Sequence, residues 1–256
     1  MVIKHKILKG LVIPVGILVI WQILSIQIDN NFILPGWNEI LSILCTPFAP
    51  LFGGSSLFEN SLVSLERVLA GFLLAVGIAV PLGLLCGWSE EVYTYVNPFV
   101  QIIRPVPPIA WMPLAIAWFS IGFGSILFII FMGSFFPVLI NTLDGVRAVR
   151  IRWLEVAETL GATSSEKFLS VVAPAAFPFV WTGFRVAFGI AWMCVVAAEM
   201  LPGISSGLGY LIMYAYNLGQ IQVIVAGMVV IGIIGIAFDY LFRAGQNRLF
   251  VWQGKE

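Results

Sequence analysis

The chain has 256 residues, of which 60% are hydrophobic and only 10% are charged, and its formal net charge is zero. This composition, with a mean hydropathy of +1.02, excludes a soluble globular protein and predicts an all-α polytopic membrane protein. Cys45, Cys86 and Cys194 are far apart and His5 is the single histidine, so the sequence predicts no disulfide framework, no metal site and no Ser-His dyad.

The first predicted element is a membrane span over the uncharged stretch from Gly10 to Ile28. It follows the basic residues Lys4, Lys6 and Lys9, so a secretory signal is the alternative interpretation. No small-x-small cleavage site is found from Ser25 to Ile28 and the apolar run is long, which favours a span that is retained.

A connector rich in proline and glycine follows from Asp29 to Asn60, with one short helix predicted around Asn38 to Leu44. The second predicted span runs from Val68 to Ser89. Gly83 and Gly87 in this span have the spacing of a helix-packing motif, although glycine is also common in membrane helices that pack in ordinary ways.

Glu90 and Glu91 mark the end of the second span. The next charge-free run, residues 105–143, is too long for one span and long enough for two. Ser120 to Ser125 supplies the turn between them, so the third and fourth predicted spans lie on either side of this turn.

The third predicted span has an unusual entry, Arg104-Pro105-Val106-Pro107-Pro108-Ile109-Ala110-Trp111-Met112-Pro113. Because proline removes backbone donors, this segment is expected to be irregular and to lie where protein or a water-filled cavity surrounds it. It either lines a translocation path, with Arg104, Pro107 and Trp111 as candidate path residues, or forms the proline-rich first turn of a helix.

One long polar insert, from Asp144 to Pro178, interrupts the apolar chain. Its first half predicts a helix, because apolar residues recur at three- and four-residue steps and charged residues occupy the other face. The apolar residues are Val149, Trp153, Val156, Ala157 and Leu160, and the charged residues are Arg150, Arg152, Glu155 and Glu158.

The second half of the insert predicts a turn and a second short helix. Gly161 ends the first helix, and Thr163 with Glu166 forms a capping box that opens the second. Pro174 and Pro178 are expected to end it. The insert is therefore predicted to be a helix–turn–helix, and an amphipathic helix lying on the membrane is the alternative.

The fifth predicted span runs from Ala175 to Ala198 and the sixth from Ile221 to Phe238. Between them, Pro202 to Ile221 begins with glycine and serine, which predicts a folded or re-entrant connector. The charged residues after the sixth span are assigned to the tail: Asp239, Arg243, Arg248 and Lys255.

Arg185 and Glu199 are further candidates for the path. Arg185 lies about ten residues, or ~15 Å, into the fifth span, where a charge costs ~2.5–3.5 kcal/mol. It is either an electropositive point on an anion route or a structural arginine that reaches headgroups or carbonyls of the insert.

Glu199 is too far along the helix to pair with Arg185, and is predicted to brace the following connector or to gate the outer mouth. Glu66 and Arg67 are predicted to pair with another connector.

Six spans with an inside start place both termini, the loop at Glu90 and the polar insert on one side of the membrane. Of the 13 Lys and Arg residues, only Arg67 falls toward the other side. The positive-inside rule therefore assigns the first side to the cytoplasm.

The insert also carries a resemblance. Glu155, Ala157, Gly161, Val171 and Pro174 stand at the spacing of the EAA motif, which is Glu-Ala-Ala, three residues, Gly, nine residues and Ile-x-Leu-Pro. Val156, Val171 and Ala173 depart conservatively from it. The chain therefore resembles the membrane permeases of ABC importers, in which this loop is the coupling helix seated in a groove of the cytoplasmic ATPase.

The resemblance covers about Ser61 to Trp252 and points to the nitrate/sulfonate/taurine branch of these permeases. The stretches that carry it are Ser64 to Phe72, Arg104 to Leu114, Phe136 to Arg147, and Ala197 to Met200 with Ser206 to Gly209. It implies a single permease domain over 1–256, with the first span and an extracytoplasmic connector in 1–60 and the core in 61–256. The coupling loop occupies about 144–178, and its implied coupling residues are Glu155, Ala157, Gly161, Ala162 and Pro174.

The resemblance also implies the partners. The chain is expected to be a non-catalytic transport subunit of the plasma membrane without a cofactor of its own, since ATP is bound by partner ABC ATPase subunits and the sequence has no GxxxxGK[ST] loop. A second permease copy, an extracytoplasmic solute-binding protein and the lipid bilayer are the other implied partners, and nucleic acid is not one. The implied substrate is a small anion such as a sulfonate, taurine or nitrate.

An ion-coupled secondary transporter is the alternative function. Such a protein needs coupling-ion residues at the midplane of the membrane, usually within inverted repeats. The sequence offers one mid-span arginine and no evident repeat, which favours the permease.

Overall fold

The computed structural model describes the backbone of residues 2–51 and 54–250, with side chains from residue 12 onward. These residues hold eleven α-helices and no strand, which confirms the predicted all-α class. A 3₁₀ turn, Pro108–Trp111, leads into α5, and a π-helical segment, Phe168–Val172, joins α8 to α9. The helices are α1 Val2–Ile28, α2 Trp37–Cys45, α3 Leu57–Trp88, α4 Glu90–Ile103, α5 Met112–Phe119, α6 Phe123–Arg147, α7 Ile151–Thr159, α8 Ser164–Lys167, α9 Ala173–Glu199, α10 Leu208–Asn217 and α11 Ile221–Leu249.

Within the described ranges, four helical stretches are long and apolar enough to cross a membrane: α3, α6, α11 and the continuous helix from Ser164 to Glu199. Helices α4 and α5 qualify only as a pair, bent by 87° at the break between them. The stretch of α1 with described side chains, Val12–Ile28, is shorter. The chain is therefore a multi-pass membrane protein, and the total of six spans stays a prediction.

The third predicted span is not one straight membrane-crossing helix, because its residues form a 3₁₀ turn and the short helix α5, which are bent away from α4. Helix α4 occupies the predicted loop after Glu90, and the chain then turns through Pro105 and Pro107 into the 3₁₀ turn and α5. Prolines here lack the N–H that a continuous helix requires, so α4 cannot run straight on into α5. The predicted turn before α6 is present, with positive φ angles at Ser120 and Gly122.

Helices α3, α6 and α9 form the core and pack along much of their length. The two glycines with packing-motif spacing face α6, since Gly83 lies against Thr142 and Gly87 against Val146. A Cβ added at Gly83 would lie 2.7 Å from the Cβ of Thr142. Glycine therefore permits the close approach of α3 and α6, and the three helices form the frame that positions the other elements.

The second helix of the polar insert does not end at Pro174 and Pro178, as the sequence predicts. Both prolines lie inside the helix that continues to Glu199. The π segment explains why Pro174 is tolerated. The N–H of Ala173 donates to the carbonyl of Phe168, five residues earlier, so Pro174 falls in the first turn of α9. The missing N–H of a proline costs little in the first turn of a helix. The insert is thus continuous with the following span.

The bounds of α3 and α11 differ from the predicted ones, and those of α2 agree with the prediction. Helix α3 begins at Leu57, earlier than predicted, because Ser56 and Glu59 form a reciprocal capping box. Helix α11 continues to Leu249, so the predicted tail residues Asp239, Arg243 and Arg248 are helical, whereas Lys255 lies outside the described residues. The short helix predicted in the first connector is confirmed by α2.

Candidate coupling and translocation sites

The polar insert is a compact helix–turn–helix, as predicted. Helix α7 ends before Gly161, whose φ of +82° is the left-handed conformation that glycine adopts without a Cβ penalty. The backbone N–H of Ala162 donates to the carbonyl of Ala157 at 3.0 Å and closes the turn. Thr163 Oγ1 accepts from the N–H of Glu166, and the backbone N–H of Thr163 donates to the Glu166 carboxylate at 2.7 Å, which is the predicted capping box.

Helix α7 presents an apolar face to its surroundings. Trp153, Val156 and Leu160 are exposed, with Leu160 82% exposed, and they lie on one side of the helix. We call these three residues the outer face of α7. Leu154, on the opposite side, packs with Phe168 against a small buried cluster at the base of the insert. A charged insert that keeps large apolar side chains in the open has the composition of a protein interaction site.

The candidate coupling residues lie together in this insert. Glu155 and Gly161 are exposed, while Ala157 and Ala162 are half-buried at the turn. Pro174 is exposed in the first turn of α9, two residues beyond the π segment. An ion pair between Lys167 and Glu158 at 3.2 Å joins α8 to α7 and holds the two short helices in their relative position.

A groove follows one face of α6. Its larger part is a cavity of about 320 Å³ between α6, α9 and the proline-rich segment. Its lining consists of Arg104, Val106, Pro108, Met132, Gly133, Phe136, Pro137, Ile140, Asn141, Val186 and Ile190. A smaller cavity of about 90 Å³ shares Arg104 and Ile140 with it and reaches Asp144. From Met132 to Asp144 the lined face of α6 extends over ~18 Å.

Arg104 is the cation of this groove. It is exposed and lines both cavities, and its guanidinium has neither an ion-pair nor a hydrogen-bond partner in the described part of the chain. Pro107 and Trp111 are its neighbours in sequence but line neither cavity. The indole Nε1 of Trp111 is buried and has no hydrogen-bond partner among the residues that the structure describes. The structure therefore brings one of these three predicted path residues into the groove.

Arg185 lies elsewhere. Its Nε donates to Asp239 Oδ1 at 2.6 Å, and Arg243 donates to the other oxygen of the same carboxylate at 2.8 Å. The helix that contains Arg185 begins at Ser164, not Ala175, so Arg185 is about 21 residues from its start and about 14 from its end. The arginine thus joins α9 to α11 through a carboxylate, and it lines neither cavity of the groove.

Glu199, at the far end of α9, has no exposed surface. Its carboxylate accepts hydrogen bonds from Ser64 Oγ at 2.7 Å, from Arg67 Nη1 at 2.8 Å and from the N–H of Gly209 at 3.1 Å. Arg67 also donates to the carbonyl and hydroxyl oxygens of Ser206. Glu199 and Arg67 therefore both contact the connector that follows α9, the kind of contact that the sequence predicts for each.

The same cluster caps α10. This helix begins after Gly207, which offers no capping side chain, so its first amides need partners from elsewhere. Gly207 N–H donates to Asn60 Oδ1, and Leu208 N–H donates to Ser64 Oγ. Gly209 N–H completes the set at the Glu199 carboxylate. A Cβ at Gly207 would overlap this carboxylate, so the glycine is required for the cap to form. We call this cluster the α10 cap.

Sequence reasoning missed Asn60 and Ser64. Polar residues in an apolar helix indicate some buried partner, but one sequence does not say which. The available signal is Gly207, because a helix that starts with glycine and has no Ser, Thr, Asp or Asn at its N-cap must be capped by another element.

The candidate residues therefore lie at four separate places: the coupling residues in the insert, Arg104 in the groove beside Pro107 and Trp111 of the proline-rich segment, Arg185 at its contact with α11, and Glu199 in the α10 cap. Arg185 and Glu199 are ~21 Å apart along α9 and hold different partners. The described residues bring no three metal-ligating side chains together.

Comparison with known proteins gives consistent matches. Residues 79–250 match the family described as binding-protein-dependent transport system inner membrane component. The chain is 46% identical over 250 residues to a putative ABC transporter permease protein of Methanocaldococcus jannaschii, covering 98% of this chain and 93% of that protein. It is 35% identical over 251 residues to the putative aliphatic sulfonates transport permease protein SsuC of Bacillus subtilis, covering 98% of this chain and 89% of that protein.

The fold has a solved counterpart. The structure of the MetNI methionine ABC transporter in inward-facing conformations matches with a TM-score of 0.58 at 17% sequence identity, over 80% of this chain and 97% of that chain. At this identity the likeness concerns the fold alone.

Proposed function

The chain belongs to the family of binding-protein-dependent transport system inner membrane components, and from this premise we propose that it forms, as a homodimer, the pore of an ATP-driven importer for a small anion. Membership makes the chain the permease subunit of an ABC importer. It is not itself an enzyme, because a separate ATPase subunit hydrolyses ATP, and the importer takes its substrate from a solute-binding protein.

The observation that supports the coupling role best is the outer face of α7. In this proposal Trp153, Val156 and Leu160 enter a groove of the cytoplasmic ATPase. Glu155 makes the acidic contact beside them, Ala157 and Ala162 allow close packing at the turn, and Gly161 keeps the motif compact. Pro174, beyond the π segment, links this contact to α9. The charge distribution of the sequence supports a cytoplasmic location for the insert and for both termini in the plasma membrane.

Transport then follows from movement of rigid helices. Closure of two ATPase subunits around ATP draws the two inserts of a permease dimer together. Each insert is continuous with the helix that ends at Glu199, and α9 packs against α6 over much of its length. Displacement at α7 is therefore transmitted to the groove on α6, which alternates between the two sides of the membrane. ATP is bound by the partner, and this chain supplies no cofactor site.

In this proposal Arg104 lines the translocation path, while Pro107 and Trp111 line neither cavity and belong to the proline-rich segment beside it. Arg185 and Glu199 act by holding helices together, since each has a partner of opposite charge. A cationic residue in the groove favours an anionic substrate, and a permease named for aliphatic sulfonates is among the relatives. An aliphatic sulfonate without an amino group is therefore the substrate that we favour, ahead of the zwitterionic sulfonate taurine and of nitrate.

The coupling role is tested by Leu160→Asp. A carboxylate at this exposed apolar position adds a charge that must be desolvated when the outer face of α7 is buried, so we expect about tenfold less ATPase to be retained by the affinity-purified permease, equivalent to ~1.4 kcal/mol. The matched control is Thr159→Asp, which adds the same charge one residue away, about 100° around the helix. Equal retention of the ATPase by wild type and Leu160→Asp would contradict the assignment of this face.

A further inference from the structure

We infer that the cavity beside Arg104 is a binding site for a small organic anion, in which the guanidinium holds the anionic group and the walls on α6 and α9 accept an apolar body. This inference rests on the proposed function and adds to it a position and a ligand chemistry. The proposed site lies within a single copy of the chain and consists of Arg104, Asn141 and the apolar lining of the cavity.

The first argument is charge compensation. Arg67 and Arg185, which lie in candidate membrane spans, each have a carboxylate within 2.8 Å. Arg104 has none among the described residues. A guanidinium at the wall of a membrane cavity without a counter-charge is costly, and such residues usually mark ion or substrate pathways. The missing partner is then an anion that enters the cavity.

The second argument is shape. A cavity of about 320 Å³ holds about ten water molecules, which is more than an inorganic anion of three or four heavy atoms would fill. Most of its wall is apolar: Met132, Phe136, Ile140, Val186 and Ile190. Arg104 and Asn141 supply its charged and amide groups. A largely apolar wall with a few convergent polar groups is typical of sites for organic ligands.

The third argument is the charge along the groove. Arg104 lies where the two cavities meet, and Asp144 is the carboxylate that lines the smaller one. An anion is therefore attracted to the Arg104 end and repelled from the end near Asp144. The two charges together therefore favour binding of the anion beside Arg104 over its free movement along α6.

The test uses an introduced thiol and charged reagents, so it requires no knowledge of the natural substrate. Val186, which is exposed and lines the cavity from α9, is replaced by cysteine in a full-length chain whose Cys45, Cys86 and Cys194 are changed to alanine. The purified permease in lipid nanodiscs is reacted with sulfonatoethyl methanethiosulfonate and, separately, with its trimethylammonium counterpart. The ratio of the two rates reports the local potential.

We expect Arg104→Gln to lower the anionic-to-cationic rate ratio about tenfold and Arg104→Lys to preserve it within about threefold. The matched control is Arg248→Gln, which removes an exposed arginine near the end of α11 and should leave the ratio unchanged. An unchanged ratio in Arg104→Gln would overturn the anion site.

Protection of the introduced cysteine by added anions tests whether the site prefers an organic anion, separately from whether it attracts anions at all. Butanesulfonate is expected to slow modification of Val186→Cys at concentrations at which nitrate has no effect. Equal protection by both anions would overturn the assignment of an organic ligand. Because these measurements need no ATPase, a failure here is distinguishable from a failure of the coupling role, which is measured by ATPase retention.

Discussion

At Glu199, one carboxylate connects three helices. It ends α9, accepts hydrogen bonds from Ser64 and Arg67 of α3, and accepts a third from the N-terminus of α10. A buried carboxylate is tolerated when its charge is paired and its lone pairs are hydrogen-bonded, and all of these conditions hold here. The side chain of Arg67 is only 12% exposed, so removing the Glu199 carboxylate leaves its guanidinium without a counter-charge.

Glu199→Ala is therefore expected to destabilise the permease by ~3–5 kcal/mol, because it leaves the largely buried Arg67 without a counter-charge. For a chain of this size the loss corresponds to a decrease in Tm of about 10 °C, measured by size-exclusion chromatography of heated detergent samples. Glu66→Ala, which removes an exposed carboxylate next to Arg67, is the control and should change stability by less than about 0.5 kcal/mol.

The double variant Arg67→Met/Glu199→Leu tests the reason for the loss. Replacing both charges by apolar groups removes the uncompensated guanidinium, so it should restore part of the stability lost in Glu199→Ala. A double variant less stable than the single one would contradict this explanation and would point to the hydrogen bonds to α10 as the larger contribution.

The sequence predicts the contacts of the α10 cap only in part. Glutamate at the end of an apolar span indicates a buried partner, and a connector nearby in sequence is a reasonable candidate. Asn60 and Ser64 lie more than a hundred residues away from their partners in α10. No periodicity or local propensity encodes such a pairing, which arises only when α3 and α9 pack together.

Among the elements, the turn between α7 and α8 depends most directly on one residue. Gly161 has a φ of +82°, and a Cβ there would meet open space, so the conformation and not the packing restricts the residue type. Side chains at this φ cost about 1–2 kcal/mol, least for asparagine and most for β-branched residues.

We therefore expect ATPase retention to fall in the order Gly161→Asn, Gly161→Ala, Gly161→Val, while the amount of permease in the membrane stays constant. The physical reason is that strain at the turn displaces α7 relative to α8 without affecting the apolar spans. The control is Gly77→Val, at a helical glycine that likewise has open space around its missing Cβ. Full ATPase retention by Gly161→Val would contradict the role of the turn.

Element prediction succeeded where one physical signal dominates and failed where two compete. The long apolar runs of α6 and α11 and the capping box at Thr163 were read correctly. At Pro174 the helix-breaking tendency of proline is outweighed by a preceding π turn, which a propensity argument does not include. The third predicted span is only a 3₁₀ turn and the short helix α5, and the prolines at its start set it at 87° to α4, a helix that the sequence analysis assigned to a loop.

At the scale of the whole molecule, the proposed orientation makes opposite predictions for the two ends of the core. The insert should face the cytoplasm, and the connector between α1 and α2 should face outward. Single cysteines at the exposed positions Ser165 and Asn30, in a background without the native cysteines, distinguish the two. We expect a membrane-impermeant maleimide to label Asn30→Cys in intact cells and to label Ser165→Cys only after the membrane is opened.

Labelling of Ser165→Cys in intact cells would contradict the orientation and with it the access of any cytoplasmic ATPase to α7. The basis of the prediction is the distribution of Lys and Arg. Its exception, Arg67, is paired with Glu199 in the structure, so it adds no net positive charge to the outer side. Class, charge asymmetry and the insert were thus predictable from sequence, whereas the groove on α6 was not, because it is formed by three segments distant in the chain.

The α10 cap also constrains the order of biosynthesis. Asn60 and the amide of Gly207 are separated by 147 positions, so this bond cannot form until the ribosome has translated most of the chain. Arg67 likewise has no counter-charge until Glu199, 132 positions later, has been translated. A nascent permease truncated before Glu199 therefore keeps an uncompensated guanidinium, and this charge is a chemical feature by which membrane quality-control proteases could distinguish an incomplete copy from a finished one.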